Sequence, residues 1–177
     1  MRKLSMDELN RVSAEEFKAQ EKNNIVVVLD NIRSLNNVGS SFRTGDAFAI
    51  EKVVLCGITG KPPHRDIHKT ALGAQDTVTW GHFDETVDAI ASLKKEGYKV
   101  IAVEQVEGST LLQNFTTTKE EKIALVFGNE VMGVSDEAIA ASDMALEIPQ
   151  FGTKHSLNVS ITIGVVLWQC LQQKMGK

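Results

Sequence analysis

Two stretches, "IVVVLD" from Ile25 to Asp30 and "KIALVFG" from Lys122 to Gly128, constrain the fold of this chain most, because nearly every residue in them is apolar and many are β-branched. A strand with one face in water alternates apolar and polar side chains, whereas a strand that is apolar throughout has both faces covered. Four further runs resemble them: "KVVLC" (52–56), "DTVTWGHF" (76–83), "YKVIAVEQ" (98–105) and "MALEIP" (144–149). Helical patterns lie between several of these, at Val38 to Phe48, Asp84 to Glu96 and Ser135 to Ala141. Strands and helices in alternation, with buried strands, predict an α/β fold: a mostly parallel sheet with helices on both faces. A chain of 177 residues has room for one such domain and a substantial core. Met1 to Asn23 is charged, spaces Leu4, Leu9, Val12 and Phe17 roughly helically and carries a Ser13-to-Glu16 capping box, so it reads as a helical appendage to a domain spanning 24–177.

Several function classes are disfavoured. The longest apolar runs, "IVVVL" and "GVVLW", are far short of a membrane span, and the N-terminus lacks the apolar core of a secretory leader, so a cytoplasmic location is expected. Cys56 and Cys170, 114 positions apart in apolar settings, read as reduced core residues. His64 and His68 are four apart, a spacing that binds metal on some helices, but no acidic third ligand accompanies them and no metal is expected. The net charge of −4 gives no global attraction to nucleic acid, yet Asn31 to Gln75 holds six basic residues against three acids, a local excess of three.

In open parallel sheets ligands bind at the carboxyl ends of the strands, which directs attention to three loops. In the first, "DNIRSLNNVGSSFRTGDAF", Asn36 or Asn37 is a natural N-cap; Val38, Phe42, Gly45 and Ala49 make an apolar stripe, and Asn36, Ser40 and Arg43 share another face. A helix start with an arginine one or two turns in is a grip for anions. In the second, the glycines of Gly128 to Gly133 have P-loop spacing, but Val134-Ser135 replaces the phosphate-binding Lys-Ser/Thr pair. No GxGxxG follows the first strand either, so this is a tight backbone loop bearing one carboxylate, Glu130. The third, "IPQFGTKHSLNVSITIGVVLWQC", alternates polar and apolar residues from Ser156 to Ile163 and then runs apolar without alternation. On period alone the first part is a strand; His155-Ser156 has no GxSxG elbow and does not read as a hydrolase site.

Taken together, N-x(5)-R in "NVGSSFR", the F-G-N-E loop and I-P followed by S-L-N-V-S resemble, in order and spacing, the SpoU/TrmH-type RNA ribose methyltransferases of the SPOUT superfamily. "KTALGA" (69–74) and "GYKVIAVEQ" are similar to that family too, so the resemblance runs from about Ile25 to Trp168. It implies a C-terminal deep trefoil knot holding S-adenosylmethionine, in a homodimer paired through the C-terminal helix. Carried over by position, Gly128, Ile148 and Leu157 make backbone contacts to the cofactor, with Phe127, Asn129, Pro149 and Gln150 lining its pocket. Arg43, Asn37, Glu130, Ser156 and Asn158 match the active-site positions. Val131 follows Glu130 where many members have glycine.

The implied activity is methyl transfer from S-adenosylmethionine to a ribose 2′-OH of RNA, with tRNA favoured over rRNA because the chain is compact. A guanidinium stays protonated in proteins, so Arg43 is expected to hold a phosphate and stabilise the developing alkoxide. Asn37, Ser156 and Asn158 would orient groups around it, and Glu130 would position Arg43 or a loop, or take the proton. Lys61, Arg65 and Lys69 join Arg43 as the expected RNA contacts. On this reading Ser156 and Asn158 belong to a cofactor loop capping a buried helix that begins near Leu157. The competing readings are a knotted RNA-binding paralogue without catalysis and a flavodoxin-like small-molecule binding module. The RNA, the nucleotide and any base specificity are not written in the sequence.

Overall fold

The structure, a computed structural model, describes residues 1–5, 7–9, 12–154 and 156–176. In chain order it comprises α1 (Ala14–Ala19), β1 (Asn23–Asp30), α2 (Leu35–Ala47), β2 (Ile50–Cys56), α3 (Arg65–Ala71), β3 (Trp80–Phe83), α4 (Thr86–Lys95), β4 (Lys99–Val103), β5 (Thr110–Leu111), β6 (Ile123–Phe127), α5 (Asp136–Ala141), β7 (Met144–Glu147) and α6 (Val159–Lys174). Short 3-10 turns lie at Asp7–Leu9, Ala74–Asp76 and Leu112–Asn114. The strands form one seven-stranded sheet in the order β3-β2-β1-β6-β4-β7-β5, with every pairing parallel. No helix among the described residues is long and apolar enough to cross a membrane.

The all-apolar strands divide their side chains between two cores, as the pleat dictates. Ile25, Val27 and Leu29 of β1 and Ile123, Leu125 and Phe127 of β6 face a large core built with Phe42 of α2, Ile67 of α3 and Ile163 and Val166 of α6. Val26, Val28, Ala124 and Val126 face the opposite core with Ile90 and Leu93 of α4 and Ala138 of α5. Cys56 and Cys170 are free and buried, and burial pushes both thiols up to about 12, well away from nucleophilic reactivity.

Among the described residues the N-terminal segment holds α1 and a 3-10 turn; the Ser13–Glu16 capping box is formed and Phe17 is buried. β3 starts at Trp80, because Ala74–Asp76 winds into a 3-10 turn and Val78 is buried in the large core. The stretch beyond Ser156 opens a helix and not a strand: Asn158 caps α6 through a bond from the Ser160 N–H at 2.9 Å, two residues later than the expected start. The chain twice inserts a late strand among earlier ones, β6 between β1 and β4 and β7 between β4 and β5, before α6 returns to pack on α2.

Candidate active site

The carboxyl ends of β4, β6 and β7 surround a cleft of about 520 Å³. Its walls are Val103-Glu104-Gln105 from the end of β4, Phe127 to Gly133 after β6, Leu146 to Ile148 with Gln150 after β7, and Ser156 to Val159 with Thr162 at the start of α6. The loop after β6 folds back on itself: Asn129 and Gly133 exchange two backbone hydrogen bonds at 2.9 Å. Gly128 is required there, since a Cβ on it would lie 2.0 Å from backbone atoms of Gly133 and Val134. The Asn129 side chain accepts from the Val131 and Met132 N–H groups at 2.8 and 3.2 Å and donates to the Asn31 carbonyl at 2.7 Å.

Glu130 ties this loop to α2. Its carboxylate accepts from the Arg33 and Ser34 N–H groups, both at 3.1 Å, and from Asn37 Nδ2 at 2.9 Å. Partial burial pushes its pKa up, but the bonds from Asn37 and the backbone outweigh that and leave it below the usual carboxylate value. Asn37 in turn accepts from Asn158 Nδ2 at 3.3 Å, so one chain of hydrogen bonds, Asn158 to Asn37 to Glu130, joins the start of α6, α2 and the β6 loop. The N-cap of α2 is Ser34, whose hydroxyl accepts from the Asn37 N–H at 3.3 Å, and not Asn36 or Asn37; the helix starts one turn early, which frees the Asn37 side chain for Glu130.

Of the residues singled out by the sequence, Phe127, Gly128, Asn129, Ile148, Gln150, Leu157, Glu130, Ser156 and Asn158 all line the cleft. Pro149 lies in a shallower neighbouring concavity with Phe151, Gly152 and Lys154. Arg43 does not line the cleft: it is exposed, one helical turn beyond Gly39, the point where α3 crosses α2 so closely that a Cβ would meet Thr70 Oγ1 at 2.1 Å. That places Arg43 on the side of α2 facing α3, which carries Arg65 and Lys69. Lys69 pairs with Asp66 at 2.6 Å, while Lys61 and Arg65 are exposed. His64 caps α3, accepting the Asp66 N–H at 3.1 Å, and His68 Nδ1 is 3.0 Å from Gln75 Nε2. His155 lies outside the described residues. Sequence reasoning assigned no role to Val103 and Glu104, although both lie in "GYKVIAVEQ", nor to Leu146, Glu147 and Thr162; the order β6-β4-β7 brings the first four to the cleft, and α6 adds Thr162.

The cleft suits S-adenosylmethionine. Its volume is that of a cofactor pocket, Phe127, Leu146, Ile148 and Leu157 offer apolar surface, and the negative field of the carboxylates along its wall favours a ligand of net positive charge. The structure of an AdoMet-bound rRNA methyltransferase from Sinorhizobium meliloti is similar, with a TM-score of 0.77 and 27% identity over 84% of this chain and 56% of that one. A parallel α/β sheet with this cleft at its carboxyl edge therefore defines an S-adenosylmethionine-dependent methyltransferase. Residues 24–168 match the SpoU rRNA Methylase family, and the chain belongs to that family. Among its relatives are a tRNA (guanosine(18)-2'-O)-methyltransferase of Thermus thermophilus, 30% identical over 95% of this chain and 84% of the relative, and a 23S rRNA (guanosine-2'-O-)-methyltransferase of Neisseria meningitidis, 29% identical over 86% and 60%.

Proposed function

We propose that this protein transfers a methyl group from S-adenosylmethionine to a ribose 2′-OH of cytoplasmic tRNA, acting as a homodimer. The observation that carries this reading is the Asn158–Asn37–Glu130 chain of hydrogen bonds, which couples the cofactor cleft to the helix bearing Arg43. tRNA is favoured over rRNA because the Thermus tRNA enzyme aligns over 84% of its length and the meningococcal rRNA enzyme over 60%.

The bound cofactor supplies an activated methyl group, so the protein has to orient the hydroxyl and ease loss of its proton. Asn37, Ser156 and Asn158 orient groups at the cleft mouth. Glu130 is already held ionised by three donors and serves to position α2 against the cofactor loop; a lowered pKa makes it a poor proton acceptor. Arg43 holds an RNA phosphate on the α2–α3 face with Lys61, Arg65 and Lys69, and RNA docking, or a second copy, brings that charge to the reacting oxygen. The dimer would use the stripe Ile161, Val165 and Trp168 on α6, each 41 to 56% exposed, while Ile163, Val166 and Leu167 on the other side are buried. As the family resemblance implies, the segment after β7 would be threaded as a trefoil knot.

The test is incubation with methyl-labelled S-adenosylmethionine and purified tRNA or rRNA, followed by digestion to nucleosides. Labelled 2′-O-methylnucleoside from tRNA is expected, with roughly a hundredfold loss in Arg43→Ala; label on a base, or only from rRNA, overturns the reading. Val165→Glu should convert a dimer to a monomer in light scattering.

A further inference from the structure

We propose that Glu104 binds the ribose hydroxyls of the cofactor's adenosine while it holds the cofactor loop in place; the proposal rests on the S-adenosylmethionine reading of the cleft. Glu104 directly follows β4, is half-buried and lines the cleft. Its Oε2 accepts the Val134 N–H at 3.0 Å and its Oε1 the Gln105 N–H at 2.9 Å. An ionised carboxylate offers about four lone-pair sites, so each oxygen keeps a second acceptor position after these bonds. Gly133, at φ +72, makes room for the carboxylate: a Cβ there would lie 2.3 Å from Oε2.

The other two carboxylates of the cleft are turned to other parts of the chain. Glu130 is turned to Asn37 and the backbone of residues 33 and 34, and Glu147 accepts from Ser109 Oγ at 2.7 Å. Of these three, only Glu104 accepts from the far end of the loop that opens with Gly128, where Asp30, which does not line the cleft, accepts from Ser135. The arrangement has a chemical precedent in parallel sheets that bind nucleotides: a glycine-containing loop follows one strand, and an acidic residue at the carboxyl end of a neighbouring strand accepts from ribose hydroxyls. Here β6 leads into the loop and β4, its hydrogen-bonded neighbour, presents the acid. A pair of hydroxyl donors is the chemistry that acceptor-only oxygens recognise, and a charged acceptor makes such bonds strong.

The test measures binding and needs no RNA. S-adenosylhomocysteine and its 2′,3′-dideoxy analogue are titrated by calorimetry into the wild-type protein, Glu104→Gln and Glu104→Ala. The wild type should bind the dideoxy analogue roughly 10- to 100-fold more weakly than the parent, the effect of losing hydrogen bonds to a charged group. Glu104→Ala should bind the two compounds within about threefold of each other, and Glu104→Gln, which keeps one acceptor, should fall between. A merely structural Glu104 would weaken both compounds equally in the variants, leaving the wild-type ratio intact, and that result overturns the proposal. So does a wild type indifferent to the hydroxyls, a comparison that holds even if Glu104→Ala does not fold. Failure of the parent compound to bind the wild type would instead overturn the cofactor reading itself.

Discussion

The cleft has two walls built in opposite ways. The wall after β6, Gly128 to Ser135, is pinned from every side: a two-bond bridge closes it, Asn129 and Glu130 fasten its front to the Asn31 carbonyl and the start of α2, and Glu104 and Asp30 hold its far end. The wall before α6 is different. Gln150 has a partner, but among the described residues no hydrogen bond anchors Ser156 or Leu157, nor Phe151, Gly152, Thr153 and Lys154, which continue this wall into the neighbouring concavity, and Phe151 is 95% exposed. Segments with few anchoring bonds sit at the low-stability end of a fold. The first wall is therefore shaped before any ligand arrives, and the second is left for a ligand to order.

The sharpest way to break this contrast is Gly128→Ala. The added Cβ, 2.0 Å from backbone atoms, cannot be accommodated by a side-chain rotation. Stability should fall by about 3 kcal/mol and cofactor affinity by at least roughly a hundredfold, read by urea unfolding and calorimetry. Retained affinity would show that the wall is not preformed. Asp30→Ala attacks the same wall from beneath. This buried carboxylate, 1% exposed, accepts from Ser135 N and Oγ at 2.8 Å, from Thr86 Oγ1 at 2.5 Å and from Asn31 Nδ2 at 2.9 Å. Its loss strands buried donors and should cost about 2 kcal/mol, with Asp30→Asn costing less.

How much of this was legible in the sequence follows the same division. Strands β1, β2, β4 and β6 announce themselves because β-branched, two-sided apolar runs have few other uses. Helix α3 does not: "RDIHKTA" has only Ile67 and Ala71 on its buried side, too little for a period. "DTVTWGHF" alternates like a strand, yet its first part is claimed by a 3-10 turn and by burial of Val78. The resemblance singled out Glu130, Asn37 and Asn158, but not that they would share hydrogen bonds across 93 and 121 positions. Asp30 and Glu104 stand in "IVVVLD" and "GYKVIAVEQ" but carry no assigned role there, because an acid at the end of a strand signals nothing until the strand order places it beside the β6 loop.

A smaller change sharpens the comparison through pH. Glu130→Gln keeps an acceptor but loses the charge, and should cost about 1 kcal/mol at neutral pH. The folded-state pKa of Glu130 is lowered, so its contribution is complete above the unfolded value of roughly 4.3 and disappears as pH falls through the lower folded value. The difference in urea midpoint between wild type and variant should hold from neutral pH down to about pH 5 and close in stronger acid. A gap independent of pH would mean that the charge is not what fastens the loop.

The smallest effect should come from the other wall. Phe127 lines the cleft and is 1% exposed, whereas Phe151 lines the neighbouring concavity and is 95% exposed. Truncating a buried phenylalanine removes transfer energy and leaves a cavity, roughly 3–5 kcal/mol, but Phe151 loses no packing that the folded chain makes. Phe151→Ala should leave the unfolding free energy within about 0.5 kcal/mol of wild type, as exposed substitutions do. A loss above about 1 kcal/mol that grows with protein concentration would mean that a second copy covers the ring, because only association makes stability concentration-dependent. A loss of that size at every concentration would mean the chain itself packs the ring, and the two walls would then be built alike.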